Sequence, residues 1–573
     1  MERGEPDRRR EEERRVREHL YGTPSPDTGP VDVVAPEEPG VEAITVARES
    51  SQARAGRLAR STVFFSFATG LSRIAGLARE IVAASYFGVR GPMANAFTVA
   101  FAVPNLVRSL FADAALQPAF VPVFTELLER GERREAFRLA STLIYLIVLV
   151  LGAISAFFVL FAGLIMPLFA PGFHAVTRDL MVGLSRVLFP ILVLLGASGI
   201  VVGVLNSYDR FGAFAIAPLF WNLTIIAVLV LLEPAFSGDN RIYAYAIAIV
   251  IGTVVQLAIP GFDLRNSPFR PVRAFDWRSP KVRRVLLLML PVSLSLGLIN
   301  FNVVVNSIFG SLAAPKAGPA AIDKAFRIYQ LPQGIFSVAI ATVLFPTLAR
   351  LAARRDYDDL RATMANGMRQ IQLVLIPAAA AILVLSVPMV RVIFQRGAFG
   401  PGQTDLVATA LFWFAFSLPF NGLFLILTRT FFSLQRPWVP TAIAGANLAI
   451  TAGAAAALYS PFGIGGIVAA TAIATAASVV AQIVILRRQL GRLELGRLVW
   501  TTTRVVLASA ALAGVSYGVW RLLDEALGRG LGGQIVSLGA GLGAGFAVYV
   551  AAIAALRVPE ARQVWRLLSR RGA

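Results

Sequence analysis

Long apolar stretches separated by short polar connections fill the chain from residue 61 onward. Most of them are apolar on every side, whereas a surface helix of a soluble protein keeps one polar face. A helix of about 20 apolar residues crosses a hydrocarbon core of about 30 Å. The pattern therefore predicts an all-α integral membrane protein with about fourteen transmembrane helices. The predicted spans lie near residues 61–87, 93–124, 138–168, 180–205, 213–232, 242–261, 283–313, 321–349, 364–389, 405–433, 438–458, 464–486, 499–523 and 533–556.

Composition supports this class and excludes several kinds of site. Hydrophobic residues make up 56% of the 573 residues, and the mean hydropathy is +0.67. The chain has no cysteine, which excludes disulfides and cysteine-ligated metals. Its two histidines, His19 and His174, cannot assemble a metal cluster. A glycine-rich phosphate loop is also missing from the sequence, so we expect neither ATP use nor a bound cofactor.

The distribution of the +20 net charge argues against nucleic-acid binding. Residues 1–60 hold eleven Arg against thirteen Asp and Glu, so the excess positive charge lies in short loops of the membrane part. Counted from a cytoplasmic N-terminus, the inner loops carry roughly three times as many basic residues as the outer ones. The positive-inside rule therefore places both termini in the cytoplasm.

The chain also resembles itself at an offset of about 225 to 229 residues. The matching positions are Pro104 and Pro332, Pro190 and Pro419, Arg210 and Arg436, Asn222 and Asn447, and the loops 167–173 and 392–399. Six spans separate the two copies, so the repeat predicts two pseudo-symmetric six-helix lobes in parallel orientation, a transporter architecture. The alternative is chance spacing among proline-rich helices.

These patterns divide the chain into five predicted regions. They are a disordered cytoplasmic tail (1–60), an N-lobe (61–262), a cytoplasmic linker (263–280), a C-lobe (281–490), and spans 13 and 14 with a short cytoplasmic C-terminus (491–573). The tail is rich in Pro, Glu and Arg, a composition typical of disorder.

Three predicted spans carry charges near their centres, where each costs about 2.5–3.5 kcal/mol on insertion scales. They are Arg73, Arg79 and Glu80 in span one, Arg108 and Asp113 in span two, and Asp323, Lys324 and Arg327 in span eight. If the four arginines converge, they form a site for phosphate or pyrophosphate, because guanidinium groups are permanently charged bidentate donors. The alternative is that each arginine pairs with a nearby carboxylate or snorkels to an interface.

The same residues carry a resemblance to a known family. The chain resembles the MurJ (MviN) lipid II flippases of the MOP exporter superfamily in the motifs Ser72-Arg73-x-x-Gly76-x-x-Arg79-Glu80, Phe87-Gly88, Pro104-Asn105-x-x-Arg108 and Phe394-Gln395-Arg396-Gly397-x-Phe399. The resemblance covers roughly residues 60–520. It implies two six-helix lobes plus two further helices, and a transporter of the bacterial inner membrane that is not an enzyme.

The resemblance also implies a substrate and a site. The substrate is undecaprenyl-pyrophosphate-linked disaccharide pentapeptide, moved from the inner to the outer leaflet during peptidoglycan and cell wall biogenesis. The expected partners are this anionic lipid, membrane lipids and cell-wall synthesis proteins, with no nucleic acid. The predicted substrate-binding residues are Ser72, Arg73, Arg79, Glu80, Asn105, Arg108 and Arg327.

The chain departs from the family pattern at several positions. Asn95 stands where the family often has Asp, and Glu80 replaces the commoner Asp. Some relatives use acidic residues of spans seven and eleven for sodium, but these spans contain none here, and span seven offers Asn300, Asn302 and Asn306 instead. Coupling to a monovalent ion and coupling to the membrane potential are therefore both open.

Other functions remain as alternatives at this point. One alternative is another exporter of the same superfamily, which would carry a polysaccharide lipid or drugs. If the chain were a multidrug exporter, we would expect acidic residues in its cavity. A membrane glycosyltransferase requires paired carboxylates in a substantial outer loop, and the outer loops here are short. A passive scaffold has no need for intramembrane arginines.

Overall fold

The computed structural model describes residues 67–111, 116–208, 210, 212–313, 318–491, 493–558 and 560. These residues form helices and short connections, and no strand occurs among them. The all-α prediction is therefore confirmed over this part of the chain. The predicted tail (1–60) lies outside the described residues.

Nine helices make up the first half of the described chain. They are α1 (67–87), α2 (Pro92–Phe111), α3 (Leu116–Glu129), α4 (Arg133–Leu160), α5 (Ala162–Phe169), α6 (Ala175–Leu188), α7 (Ile191–Ser207), α8 (Gly212–Leu232) and α9 (Ile242–Arg265). Predicted span two corresponds to α2 and α3, and predicted span four corresponds to α6 and α7. The second pair is interrupted at Pro190, which cannot donate a helical hydrogen bond.

Eight helices make up the second half. They are α10 (Pro280–Leu312), α11 (Pro319–Pro332), α12 (Val338–Ala353), α13 (Tyr357–Phe394), α14 (Pro401–Ser433), α15 (Trp438–Leu490), α16 (Leu495–Leu527) and α17 (Leu531–Ala555). A π-helical turn, Gln333–Ser337, joins α11 to α12 directly after Pro332. Helix α15 contains a kink at Gly463, whose φ of 55° lies in the left-handed region that favours glycine, so it holds two helical segments.

Ten helical segments of the described chain are long and apolar enough to cross a membrane, α15 being counted once. The multi-pass architecture is thereby supported. The total of fourteen spans stays a prediction, because the described residues provide ten such segments.

Two apolar cores hold the helices together. The larger one is built from buried residues between Ala83 and Val285. The second is built chiefly from buried residues between Ala320 and Leu498, joined by Ala84, Val89 and Ala94 from the first half. Each half of the chain thus packs mainly on itself, and α1 and α2 touch both cores.

The linker is tied to the first half of the chain by polar contacts. The Val272 amide donates to Ser141 Oγ at 2.9 Å, and Lys281 Nζ donates to Glu132 Oε2 at 3.0 Å. This hydrogen bond to Glu132 raises the pKa of Lys281 above its usual range. The beginning of α10 is therefore anchored to α4, although α10 continues into the second half.

The last two helices are fastened to α13 around a buried arginine. Arg369 Nε lies 2.6 Å from Glu560 Oε1, and Arg369 Nη1 lies 3.2 Å from Glu494 Oε2. Tyr549 of α17 donates a hydrogen bond of 2.5 Å to the Leu373 carbonyl. The helices α16 and α17 are thus attached to the second half of the chain by polar as well as apolar contacts.

Replacing Arg369 with Ala is expected to lower thermal stability markedly. The change leaves the carboxylate of Glu560, itself buried, without its charge partner, and breaking a buried pair costs about 3 kcal/mol or more. The matched control is Arg497→Ala, because Arg497 also pairs with Glu494 but is 78% exposed, so its loss should cost less than about 1 kcal/mol. Thermal unfolding of both variants in detergent checks this, and equal melting temperatures would contradict it.

Candidate functional site

A cavity of about 530 Å³ lies between the two halves of the chain. Its lining comes from α1, α2, α9, α10, α11, α14 and both segments of α15. This size falls within the usual range of ligand-binding cavities, and the lining mixes aromatic side chains with polar groups. The cavity is therefore the candidate substrate site.

One carboxylate organises the charges of the cavity. Glu80 on α1 is 5% exposed, and its Oε1 accepts a hydrogen bond of 2.5 Å from Nη2 of Arg79. Its other oxygen, Oε2, accepts from Nζ of Lys324 on α11. Arg327 Nε lies 4.0 Å from Glu80 Oε1. Three cations from both halves of the chain thus surround a single buried carboxylate, as a charge at this depth requires.

The two arginines of this cluster have further contacts. The Arg79 guanidinium lies over the ring of Trp221, with 4.6 Å between its Cζ and the ring centroid, a cation–π arrangement. Arg327 Nη2 donates to Asp323 Oδ1 at 3.3 Å. Among the described residues, Arg79 Nε, Arg79 Nη1 and Arg327 Nε are buried donors without a hydrogen-bond acceptor. Charged donors that remain unused inside a cavity are suited to an anion.

The described lining carries a modest positive charge. It holds three cations, Arg79, Lys324 and Arg327, against two carboxylates, Glu80 and Asp323. All five lie on α1 or α11. The described lining therefore carries one excess positive charge, fewer than four converging arginines would give it.

The predicted site residues divide into two groups. Arg79, Glu80, Asn105 and Arg327 line the cavity. Ser72, Arg73 and Arg108 are not part of its lining, and the carboxylate of Asp113 lies outside the described residues.

The three remaining residues lie in the neighbourhood of the cavity. Arg108 Nε donates to Asn105 Oδ1 at 2.9 Å, so it contacts a lining residue. Arg73 is exposed, and its Nη1 would be 3.1 Å from a Cβ built on Gly334 of the π turn. The Ser72 carbonyl accepts a hydrogen bond of 3.4 Å from Asn222 Nδ2. Ser72 thus serves the packing of α1 on α8.

Sequence reasoning missed one of the three cations. Lys324 was noted as an intramembrane charge but not included in the predicted site. It precedes Arg327 by three residues, a spacing that puts two side chains on one face of a helix. That spacing was the available signal. Tyr245 on α9 also lines the cavity. No sequence pattern predicts this position, because it depends on how α9 packs beside α1.

Direct hydrogen bonds join the two halves of the chain at one end of the cavity. The Ala398 amide donates to the Ser85 carbonyl at 2.7 Å, and the Ala320 amide donates to Asn95 Oδ1 at 3.1 Å. At the same end, the Gly172 amide donates to Ser311 Oγ at 3.1 Å. These residues lie at or beside connections predicted to face outward, so this end of the cavity is closed.

The side chain of Gln403 completes this closure. Its Oε1 accepts from the Val89 amide at 2.5 Å, and its Nε2 donates to the Ala398 carbonyl at 2.7 Å. Gly88 has a φ of 62°, and a Cβ at this position would lie 2.5 Å from Gln403 Oε1. Only glycine combines this backbone conformation with so close an approach.

Comparison with known proteins identifies what this architecture resembles. A sequence model of the family described as Lipid II flippase MurJ matches residues 83–530. The chain is 34% identical over 415 residues to Probable lipid II flippase MurJ of Rhizobium meliloti (strain 1021), covering 70% of this chain and 76% of that protein. It is 33% identical over 485 residues to the protein of the same description from Rhizobium tropici, covering 80% and 86%.

Solved structures show the same fold. A lipid II flippase MurJ in an inward closed conformation superposes with a TM-score of 0.71 at 22% identity, covering 87% of this chain and 100% of that chain. An inward-facing multidrug resistance MATE family transporter of the MOP superfamily superposes with a TM-score of 0.63 at 15% identity, covering 73% and 94%. The predicted all-α membrane fold is confirmed.

Proposed function

The chain belongs to the lipid II flippase MurJ family, and from this premise we propose that it carries lipid II from the inner to the outer leaflet of the bacterial inner membrane. The observation that carries the proposal is the cluster of Arg79, Lys324 and Arg327, three cations that line a cavity shared by both halves. The protein acts as a multi-pass transporter in peptidoglycan synthesis and cell wall biogenesis, and catalyses no bond-breaking step.

The diphosphate of the lipid is the part held by the cations. Arg79 and Arg327 provide permanently charged donors that match phosphate oxygens bidentately, and Lys324 adds a compact point charge. The low dielectric of a cavity within the membrane strengthens these contacts compared with water. The polyprenyl tail stays in the lipid, because only the polar headgroup gains from entering the cavity.

In the proposed cycle, Glu80 stabilises the three cations of the cavity when no substrate is bound. Without substrate, the three cations repel one another, and Glu80 offsets that repulsion by contacting all three. A dianionic diphosphate competes with Glu80 for the same donors. Binding therefore weakens the ion pair between Glu80 on α1 and Lys324 on α11, which is one of the contacts between the two halves.

Alternating access then follows from the two sets of contacts between the halves. The outer closure at Ser85, Asn95 and Gln403 must break before the cavity opens outward. The substrate shifts the equilibrium by the difference in its affinity for the two states, and rocking of the lobes moves the site across the membrane.

Arg73 and Arg108 act before the substrate reaches this cluster. Arg73 precedes Arg79 by six residues, which puts it about 9 Å nearer the predicted cytoplasmic end of α1. Arg108 contacts Asn105 at the cavity wall. We assign both arginines to attraction of the anionic headgroup on its way inward, with Ser72 positioning α1.

Two energy sources are compatible with this site. A membrane potential that is negative inside favours outward movement of an anion by about 2.3 kcal/mol per charge per 100 mV. A monovalent ion is the second candidate. No cofactor takes part in the proposed cycle.

Translocation of lipid II in reconstituted vesicles tests the proposal. The wild-type protein should move labelled lipid II to the opposite leaflet, whereas Arg79→Ala should abolish both this activity and complementation of a flippase-depleted strain at normal expression. The matched control is Arg488→Ala, because Arg488 is exposed at the end of α15 and does not line the cavity. Full activity of Arg79→Ala would overturn the anion site, and a wild-type protein that moves no lipid II would overturn the function.

A further inference from the structure

We infer that the cavity has a second, uncharged subsite on α10, α14 and α15, which binds hydroxyl and amide groups of the sugar moiety of the substrate. The inference rests on the proposed function, since it assigns a part of the same lipid headgroup to a part of the same cavity. The two subsites together fix the orientation of the headgroup in the cavity while the cations bind the diphosphate.

Charge is segregated within the cavity. Every charged residue of the described lining lies on α1 or α11. The lining from α10, α14 and α15 offers only apolar and neutral polar side chains, the polar ones being Asn300, Asn302, Asn306, Ser307, Asn421, Asn447, Thr471 and Thr475. One part of the lining therefore carries all the described charges, and another part offers amides and hydroxyls.

A chain of hydrogen bonds fixes part of the neutral wall. Asn302 Nδ2 of α10 donates to Asn447 Oδ1 at 3.3 Å. Asn447 Nδ2 in turn donates to Ser478 Oγ at 3.0 Å, and Ser478 donates to the Ala474 carbonyl at 2.7 Å. These bonds connect α10 with both segments of α15. The wall thus keeps its shape without a ligand, which lowers the entropic cost of binding one.

Other polar groups of this wall have unused hydrogen-bonding capacity. Asn306 Oδ1 and Thr471 Oγ1 are buried atoms that find no hydrogen-bond partner among the described residues. Both residues line the cavity. A buried polar atom without a partner costs about 1–3 kcal/mol, so such atoms in a native protein call for an explanation. A ligand that supplies the missing partners explains both.

The chemistry of these groups selects a neutral polar ligand. An amide oxygen accepts from a hydroxyl or an N–H group, and a threonine hydroxyl both donates and accepts. A fully ionised phosphate oxygen is an acceptor only, so it cannot satisfy Asn306 Oδ1. Sugar hydroxyls and amide groups supply donors and acceptors together. The diphosphate therefore lies against α1 and α11, and the sugar lies against α10, α14 and α15.

Truncation of the ligand separates the two subsites. Binding of two purified lipids, lipid II and undecaprenyl pyrophosphate without sugar, is measured for the wild type, Asn306→Ala and Thr471→Val in detergent. Loss of one neutral hydrogen bond corresponds to about a fivefold change in Kd. Each variant should bind lipid II about fivefold more weakly and bind undecaprenyl pyrophosphate as the wild type does.

Two further variants make the outcome decisive. Arg327→Ala should weaken both lipids by a similar factor, because it acts on the shared diphosphate. Thr503→Val is the matched control for Thr471→Val, because Thr503 is exposed on α16 and its hydroxyl donates to the Val499 carbonyl of its own helix. Equal weakening of both lipids by Asn306→Ala and Thr471→Val, or no weakening of either, overturns the sugar subsite while leaving the flippase intact. A wild-type protein that binds neither lipid refutes the proposed function itself.

Discussion

A disulfide between positions 95 and 318 is expected to stop transport completely, and a reducing agent is expected to restore it. Asn95 on α2 and Gly318 before α11 face each other across the closed end of the cavity, and a Cβ built on Gly318 would lie 2.4 Å from Asn95 Cγ. Gly318 has a φ of −127°, which any residue adopts, so cysteine fits its backbone. The two positions are therefore close enough for a disulfide once the Asn95 amide is removed.

The natural sequence contains no cysteine, so the two introduced cysteines can form a disulfide only with each other within the chain. The double variant Asn95→Cys with Gly318→Cys is oxidised, and lipid II translocation in vesicles is measured before and after reduction with dithiothreitol. Each single variant, treated identically, controls for loss of the Asn95 hydrogen bond and for oxidation itself. Undiminished transport by a fully cross-linked protein would show that these ends need not separate during the cycle.

Replacing Glu80 with Gln is expected to reduce transport at least tenfold and to lower stability. The amide cannot neutralise Arg79, Lys324 and Arg327, so three cations remain in the cavity with Asp323 as the only carboxylate of the described lining. Removing one partner of a buried ion pair costs about 3 kcal/mol or more. Without the pair of Glu80 and Lys324, the two halves of the chain also lose one of their ionic contacts.

Glu80→Asp is the matched control, since it keeps the charge and shortens the side chain by one methylene. It should retain most of the transport activity, because the negative charge remains beside the three cations. Translocation rates and thermal unfolding in detergent are measured for both variants at equal protein amounts. If Glu80→Gln transports like the wild type, the carboxylate has no part in coupling the two halves.

The fold was largely predictable because membrane helices must satisfy their backbone within each helix, which leaves a strong pattern of apolar runs. Helix breaks were harder to foresee. The kink at Gly463 was predicted as a connection between spans eleven and twelve, because proline and glycine residues interrupt the apolar pattern there. The break between α6 and α7 at Pro190 was not predicted, since the apolar run continues through it.

The candidate site was predictable only in part, because sequence gives the depth of a charge but not its neighbours. Arg79, Glu80 and Arg327 were predicted because a charge near the centre of a transmembrane helix is energetically unfavourable unless it faces water or a partner. All three line the cavity. The contact between Glu80 and Lys324 joins residues 244 positions apart, so no local pattern could reveal it. The position of Arg73 beside Gly334 likewise depends on the packing of α1 against the π turn.

The π turn Gln333–Ser337 has a mechanical consequence for the cation cluster. Pro332 lacks an amide hydrogen, and a π turn replaces the regular hydrogen-bond ladder of an α-helix, so resistance to bending is reduced between α11 and α12. Helix α11, which bears Asp323, Lys324 and Arg327, is therefore joined to α12 by a connection that bends more easily than a regular helix. A change of angle at this turn would move these three charges relative to Glu80 on α1.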